Sequence, residues 1–210
     1  MFGDIKMDIG IRLENKEDFK EVENVTREAF WNVYKPGCDE HLIVHKLRKS
    51  SEFIKELDFV ICDEEKIIGN IIYSKAKVIN EDKEEFEVLC MAPLGVLPSY
   101  QGKGIGTLLM NHSIKITKEL GYKGIVIFGN PKYYHRFGFK NARNYNIQTS
   151  SGENFEEFMA LELYKGSLKG VCGKFYFSQA FEVTEEELNE FEKEFPYKEK
   201  LVTDTKLEKL

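Results

Sequence analysis

A chain of 210 residues, 42% of them hydrophobic, is long enough to bury one sizeable core, alone or with an appended piece. Its net charge of −6 works against nucleic acid or an anionic membrane as partner, and no apolar run reaches the ~18 residues of a membrane span. The four cysteines, Cys38, Cys62, Cys90 and Cys172, are widely spaced without a C-x-x-C pair, which predicts reduced thiols in a cytoplasmic protein rather than a disulfide framework or a zinc site.

The first six residues have neither the basic nor the apolar stretch of an export signal. Met7–Leu13 alternates apolar and polar residues and predicts a strand. Asn15, with Asp18 three residues on, offers an N-cap; Phe19, Val22, Val25, Ala29, Phe30 and Val33 then recur at helical spacing, which predicts a helix over 16–33 ended by Pro36-Gly37. A short helix over Asp39–Lys49 carries Leu42, Ile43 and Leu47 on one face. Asp58–Cys62, Lys66–Ile79 and Phe86–Leu97 are rich in Ile, Val, Phe and Tyr and are joined by short polar turns. That pattern predicts an antiparallel meander, bent near Ser74-Lys75. Ile105, Leu108, Leu109, His112, Ile116 and Leu120 mark a helix stopped at Gly121, and Gly124–Phe128 reads as a buried strand. Strand, helix and strand in that order predict one parallel crossover. Residues 157–163 and 173–177 read as two more strands. Thr184 and Glu187 form a capping box for a helix carrying Leu188, Phe191 and Phe195, stopped by Pro196, and the last dozen residues read as a loosely held charged tail. No repeat or linker divides the chain. The expected organisation is one domain over 1–183, with its core motifs at 86–140, and a C-terminal helix and tail over 184–210, in the same domain or loosely attached.

The richest segment is Val96–Thr107, an apolar stretch feeding Gln101-Gly102-Lys103-Gly104-Ile105-Gly106 at the start of a helix. Backbone N–H groups and a helix N-terminus converge there, which makes an anion site. A P-loop is excluded because Lys103 precedes Gly104 and no Ser or Thr follows that lysine. The dinucleotide fingerprint fails because position 107 is Thr where it needs Gly. Gln101–Gly106 does match Q/R-x-x-G-x-G/A, which resembles the acyl-CoA pyrophosphate loop of the GNAT superfamily of N-acetyltransferases. Tyr134, four residues before Gly138-Phe139, resembles that family's second signature. The segments Pro93–Val96 and Gly129–Tyr134 are similar to the YhbS-like bacterial branch.

The resemblance implies an α/β (α+β) fold with a mixed, mostly antiparallel central sheet, flanked by helices, and one parallel splayed strand pair that holds acyl-CoA. It implies N-acetyltransferase activity: direct transfer of the acetyl group of acetyl-CoA to a primary amine of a small molecule or peptide, without a metal. The alternative is a non-catalytic acyl-CoA-binding sensor or partner subunit. Carried onto this chain, the loop Gln101, Gly102, Lys103, Gly104, Ile105, Gly106 and Thr107 would hold pyrophosphate. Leu94, Gly95 and Val96 would pair with the pantetheine arm, with the Val96 N–H polarising the thioester, and Asn130 and Tyr133 would complete the donor site. Asn130 precedes Tyr134 by four residues rather than the family's seven, so the helix between them is expected to be short. Tyr134 would protonate the leaving thiolate as general acid. No base stands out. Glu87 is either that base or a solvent-facing strand carboxylate, and Cys90 either lines the acceptor cleft or is a buried thiol. His112 reads as a core histidine, and His41 and His45 as surface or acceptor-site residues. Trp31 and Tyr34 shape the acceptor pocket or pack at its rim, and the acidic cluster 185–194 attracts a cationic amine or is a solvated helix face. The expected partners are acetyl-CoA and an amine, with a homodimer as a further possibility.

Overall fold

The computed structural model describes residues 8–202, so the readings on the first seven and the last eight residues lie outside the described residues. One sheet runs through the molecule. It is built from β1 (Ile9–Leu13), β2 (Phe59–Asp63), β3 (Lys66–Ile79), β4 (Glu85–Val96), β5 (Gly124–Phe128), β6 (Lys140–Asn141), β7 (Ile147–Gln148), β8 (Phe158–Glu162) and β9 (Gly173–Tyr176). Its order is β1-β2-β3-β4-β5-β8-β6, with β9 on the far end of β3 and β7 on β9. As the short polar turns predict, β2, β3 and β4 pair antiparallel in sequence, and β1 joins the outer edge of β2, also antiparallel. The crossover through helix α3 (Ile105–Glu119) gives the parallel pair β4–β5. The bend in β3 is a register shift between Ile71 and Tyr73, slightly earlier than Ser74-Lys75. There the strand's outer edge passes from β2 to β9, and a bridge from Phe53 to Ser74 fills the interval.

Helices cover both faces, which is why β2 reads as a continuous apolar run rather than an alternating one. Phe59 and Ile61 meet Leu109, Met110 and Ile125 beneath α3; Val60 and Cys62 meet Val22, Val25, Val44 and Leu47 of helices α1 (Phe19–Phe30) and α2 (Glu40–Leu47). The capping box of Asn15 and Asp18 opens a short 3-10 turn ahead of α1. α1 stops at Phe30, short of the predicted Val33. Asn32 adopts φ of 61°, and its backbone N–H donates to the Gly37 carbonyl (2.9 Å). Helix α5 (Glu185–Glu192) starts at the predicted Thr184–Glu187 capping box and packs Phe191, with Phe195 just beyond, on Leu42. Its acidic face is engaged by the body of the protein: Glu192 pairs with Arg27 (2.8 Å) and His41 (2.7 Å), Glu187 with Lys46 (3.1 Å) and Glu194 with Lys20 (2.7 Å).

Between β1, α1 and α2 lies a buried charge network. Arg48 donates to Glu14 (2.5 and 3.0 Å) and to Glu23 (2.9 Å), with its guanidinium 4.2 Å from the Phe19 ring. Asp58 joins this network. Burial, and then its hydrogen bond and charge contact with Glu14, push its carboxyl well above the ordinary carboxylate range, so Asp58 stays protonated at neutral pH. A carboxyl raised in the folded state contributes stability that is full below its unfolded pKa of about 4 and is lost as pH rises. Asp58→Asn keeps a donor towards Glu14 without the titration. It is expected to raise the thermal midpoint at pH 8 and to leave it nearly unchanged near pH 4. Equal midpoint shifts at both pH values in thermal scans would contradict a raised Asp58 carboxyl.

Candidate active site

The glycine loop takes its shape from backbone chemistry. Gly102 (φ 73°) and Gly104 (φ 84°) occupy the left-handed region that glycine enters without strain, and Gly104 is the N-cap of α3. At both, a Cβ would meet nothing within 4 Å, so the loop faces open space. α5 is capped by Thr184 and the one-turn helix α4 (Pro131–Tyr134) by Asn130, but α3 has no side-chain cap. Leu108 N–H donates to the Gly104 carbonyl (3.0 Å), so the N–H groups of Ile105, Gly106 and Thr107 have no acceptor inside the helix. Gly106 is small for a different reason: a Cβ there would lie 2.5 Å from the Tyr133 hydroxyl, which rests on the first turn of α3.

Strand β4 supplies the second part. Leu97 N–H donates to the Ile68 carbonyl (2.9 Å), and antiparallel pairs alternate. Leu94 and Val96, at non-bonded positions opposite Ile71 and Gly69, therefore turn their backbone N–H and C=O groups away from β3, towards β5. Yet β5 pairs with β4 only at Leu89–Ile125 and Cys90–Val126; beyond these the strands part. Gln101 Nε2 donates to the Val96 carbonyl (3.0 Å) and ties the loop to the strand end. The gap opens into a cavity of about 490 Å³ whose lining includes Leu94, Val96, the loop glycines, Tyr133, Tyr134 and Arg136.

Two predicted residues lie outside that lining. Gly95 seats α1 on the sheet, since its Cβ would meet Asn70 Oδ1 at 2.8 Å and Ala29 Cβ at 3.5 Å. Lys103 lies with its ammonium 5.3 Å from the Tyr100 ring centre. Asn130 does line the cavity, but its Oδ1 accepts from Lys132 N–H (2.9 Å) to start α4, which is as short as the Asn130–Tyr134 spacing predicts. Sequence reasoning passed over Arg136. Its Nε donates to the Tyr133 carbonyl (2.8 Å), and its guanidinium, 4.6 Å from the Tyr133 ring centre, puts a cation on the cavity wall. Its signal was a basic residue inside the Tyr134–Gly138 signature.

Tyr134 lies at the inner end. Its ring packs against Gly129, where a Cβ would come within 2.4 Å of Cε2, and edge-on against Tyr133 and Phe139. Burial, helped by Tyr133, Tyr34 and Tyr73 nearby, raises its phenol above the ordinary value, so it stays protonated. Beyond Tyr134 lies a second cavity of about 360 Å³, which shares Phe30, Tyr34, Leu94 and Tyr134 with the first. Its other walls come from Asp39 and Glu40 at the start of α2, Cys90 and Met91 of β4, and Phe128, Phe155, Phe177 and Phe181. Burial pushes the Cys90 thiol up to about 12. Burial, with the charge of Asp39 adding to it, raises Glu40 to about 7.

The remaining candidates lie elsewhere. Glu87 is exposed on the opposite half of β4 and pairs with Lys75 (3.4 Å), the solvent-facing alternative. His41 is fully buried against Phe191, Phe195 and Glu192 and lines neither cavity, which corrects its surface or acceptor-site reading; His45, partly exposed at the surface, faces Glu23 (2.8 Å) and also lines neither. His112 packs edge-on against Phe59 (4.8 Å) at the partly exposed side of α3. Trp31 stacks under Arg27 (4.1 Å) and donates to the Glu199 carbonyl, away from the cavities; Tyr34 lines both. Among the described residues no group of three or more His, Cys, Asp or Glu side chains could hold a metal, and no helix is long and apolar enough to cross a membrane.

The comparisons agree with this geometry. Residues 55–141, which include the loop, the splayed pair and Tyr134, match the model of the acetyltransferase (GNAT) domain. The uncharacterized N-acetyltransferase YhbS of Escherichia coli is 28% identical over 172 residues, 81% of this chain and 97% of that protein. The crystal structure of E. coli YhbS in complex with CoA superposes with a TM-score of 0.75 at 26% identity, covering 87% of this chain and 97% of YhbS. A GNAT family acetyltransferase from Brucella melitensis in complex with acetyl-CoA gives 0.67 at 26% identity, covering 82% and 97%. Residues 55–141 thus match a GNAT acetyltransferase domain, and the fold over most of the chain is that of the GNAT acetyltransferases it superposes on.

Proposed function

We propose that the protein transfers the acetyl group of acetyl-CoA to the primary amine of a small molecule by direct attack. The observation that carries this reading is the parting of β4 from β5, with an uncapped helix N-terminus at its mouth and Tyr134 at its inner end. The residues fit the donor. Successive N–H groups at Ile105–Thr107 suit a pyrophosphate, the left-handed glycines keep side chains out of its path, and Arg136 supplies a cation that the chain's overall charge does not. The free edge at Leu94 and Val96 suits the amides of pantetheine, as a missing strand would, and the Val96 N–H is placed to polarise a thioester carbonyl. The relatives that carry CoA and acetyl-CoA support the same ligand here. Bound acetyl-CoA supplies an activated acyl group. Tyr134 gives a proton to the departing sulfur; the apolar surroundings that raise its phenol raise a nearby thiol as well, as Cys90 shows, so donor and acceptor stay matched.

The test is calorimetric titration with acetyl-CoA of the parent and of Gly104→Val. A side chain at Gly104 projects into open space over the loop, and its left-handed strain costs about 1–2 kcal/mol of stability, so the variant folds. Its affinity for acetyl-CoA is expected to fall by about 10²-fold, and the parent is expected to release thiol from acetyl-CoA when an amine is added. Equal affinity in both proteins removes the loop from the site, and no binding to the parent overturns the reading.

A further inference from the structure

Glu40 is a half-buried carboxylate with no ion pair of its own, offset only in part by Lys35, which pairs with Asp39. Its Oε2 accepts from the Asp39 N–H (3.1 Å), but among the described residues no lysine, arginine or histidine pairs with it. Asp39, beside it, is ion-paired to Lys35. A half-buried, unpaired carboxylate is costly, and this one lines a cavity whose other surfaces are mainly aromatic. Phe177 adds an apolar ring that is 42% exposed, an expense to the free protein that a ligand would recover. Neither feature serves the donor site: Glu40, Phe128, Phe155 and Phe177 line the second cavity and not the first.

We infer that the cavity behind Tyr134 is the acceptor site for a small arylalkyl primary amine, its ammonium at Glu40 and its ring among Phe128, Phe155 and Phe177. This rests on the acetyl transfer proposed above and names its substrate class. A volume of about 360 Å³ is at the lower end for small-ligand sites and suits one ring with a short side chain. One carboxylate without an ion pair of its own suits one ammonium. A polyamine would press further charges onto phenylalanine rings that cannot replace their water. Aromatic faces do attract the single cation at the cavity's acid end.

Position also gives Glu40 a chemical task. The groups around it are Asp39 and Lys35 on its own segment, which pair with each other, and Tyr34 and Cys38 beside it with Tyr134 and Cys90 across the cavity, all four raised by burial. The ammonium gives one proton to Glu40, which passes it to solvent. The nitrogen then attacks the acetyl carbon, the N–C bond forms and the C–S bond breaks. The second proton lost from nitrogen balances the one Tyr134 gives to sulfur, so one proton is released per amide formed. Glu40 raised to about 7 acts only when ionised, so kcat/KM is expected to fall as pH drops below about 7.

Thiol release from acetyl-CoA, measured with 2-phenylethylamine, butylamine, spermidine and a lysine peptide, tests the assignment. 2-Phenylethylamine is expected to exceed butylamine by at least about tenfold in kcat/KM, and spermidine and the peptide by more. Glu40→Gln, an isostere, is expected to lower kcat about 10²-fold and to abolish the acid limb, with acetyl-CoA affinity unchanged. Phe177→Ala, at a half-exposed position, is expected to raise KM for 2-phenylethylamine about fivefold and not for butylamine. If acetyl-CoA binds but spermidine or the peptide is preferred, or 2-phenylethylamine is not acetylated, the acceptor assignment falls and acetyl transfer stands. It also falls if Glu40→Gln keeps the parent pH profile. Failure of acetyl-CoA to bind overturns both.

Discussion

Tyr134→Phe is expected to bind acetyl-CoA with the parent's affinity while its kcat for amine acetylation falls by about 10²- to 10⁴-fold. Phenylalanine keeps the ring that packs on Gly129 and Phe139, so the wall shared by the two cavities stays in place and only the proton donor is lost. The effect should therefore fall on kcat rather than on KM for the donor. The pH dependence adds a second check. A general acid works while protonated, and burial raises the Tyr134 phenol, so the parent's kcat should show no alkaline decline attributable to this residue up to about pH 10. Steady-state kinetics beside calorimetry decides the matter. Unchanged turnover in Tyr134→Phe would remove the residue from the chemistry and leave Tyr133, which also lines the donor cavity, as the next donor to test.

Arg48→Ala is expected to cost about 3–5 kcal/mol of stability, because it strands buried carboxylates instead of removing a whole ion pair. Glu14 and Glu23 would lose the guanidinium that binds both, and Asp58 would lose the positive charge that offsets its neighbours. For a chain of this size that is a fall of about 10 °C in the midpoint. Arg48→Met keeps the apolar stem over Phe19 and should be nearly as damaging, which separates charge from packing. The loss should shrink at pH 5 relative to pH 8, since protonation neutralises the stranded acids. Thermal scans of both variants at the two pH values are the measurement, and a loss below 1 kcal/mol at pH 8 would show that the network contributes little.

The donor side was legible because it is local in sequence. Gly102, Gly104 and the start of α3 lie within a few residues, and their chemistry follows from backbone geometry that glycine alone enters freely. The meander, the parallel crossover and the α5 capping box were legible for the same reason: short turns, a 3.6-residue period and a cap are near-neighbour signals. Of the second cavity, only Tyr34 and Cys90 were legible as candidate acceptor residues. Glu40 and Phe177 are 137 positions apart in the chain and share a cavity only because β9 crosses to the outer edge of β3. His41 likewise takes its meaning from Glu192, which no periodicity in α2 announces. Gly95 and Gly106 show the converse. Gly95 was read as pairing with pantetheine and Gly106 as opening the backbone to pyrophosphate, yet what a Cβ would first meet is Asn70 at the one and the Tyr133 hydroxyl at the other.

The clamp of Glu192 on Arg27 and His41 has a consequence for how such an enzyme could diversify. Through it the C-terminal helix braces α1 and α2, and α2 opens with Glu40; the donor loop shares none of these contacts. The two halves of the reaction are thus hung on different lengths of chain. Exchanging the region after 155, together with α2, between relatives would graft a new amine preference onto an inherited nucleotide grip.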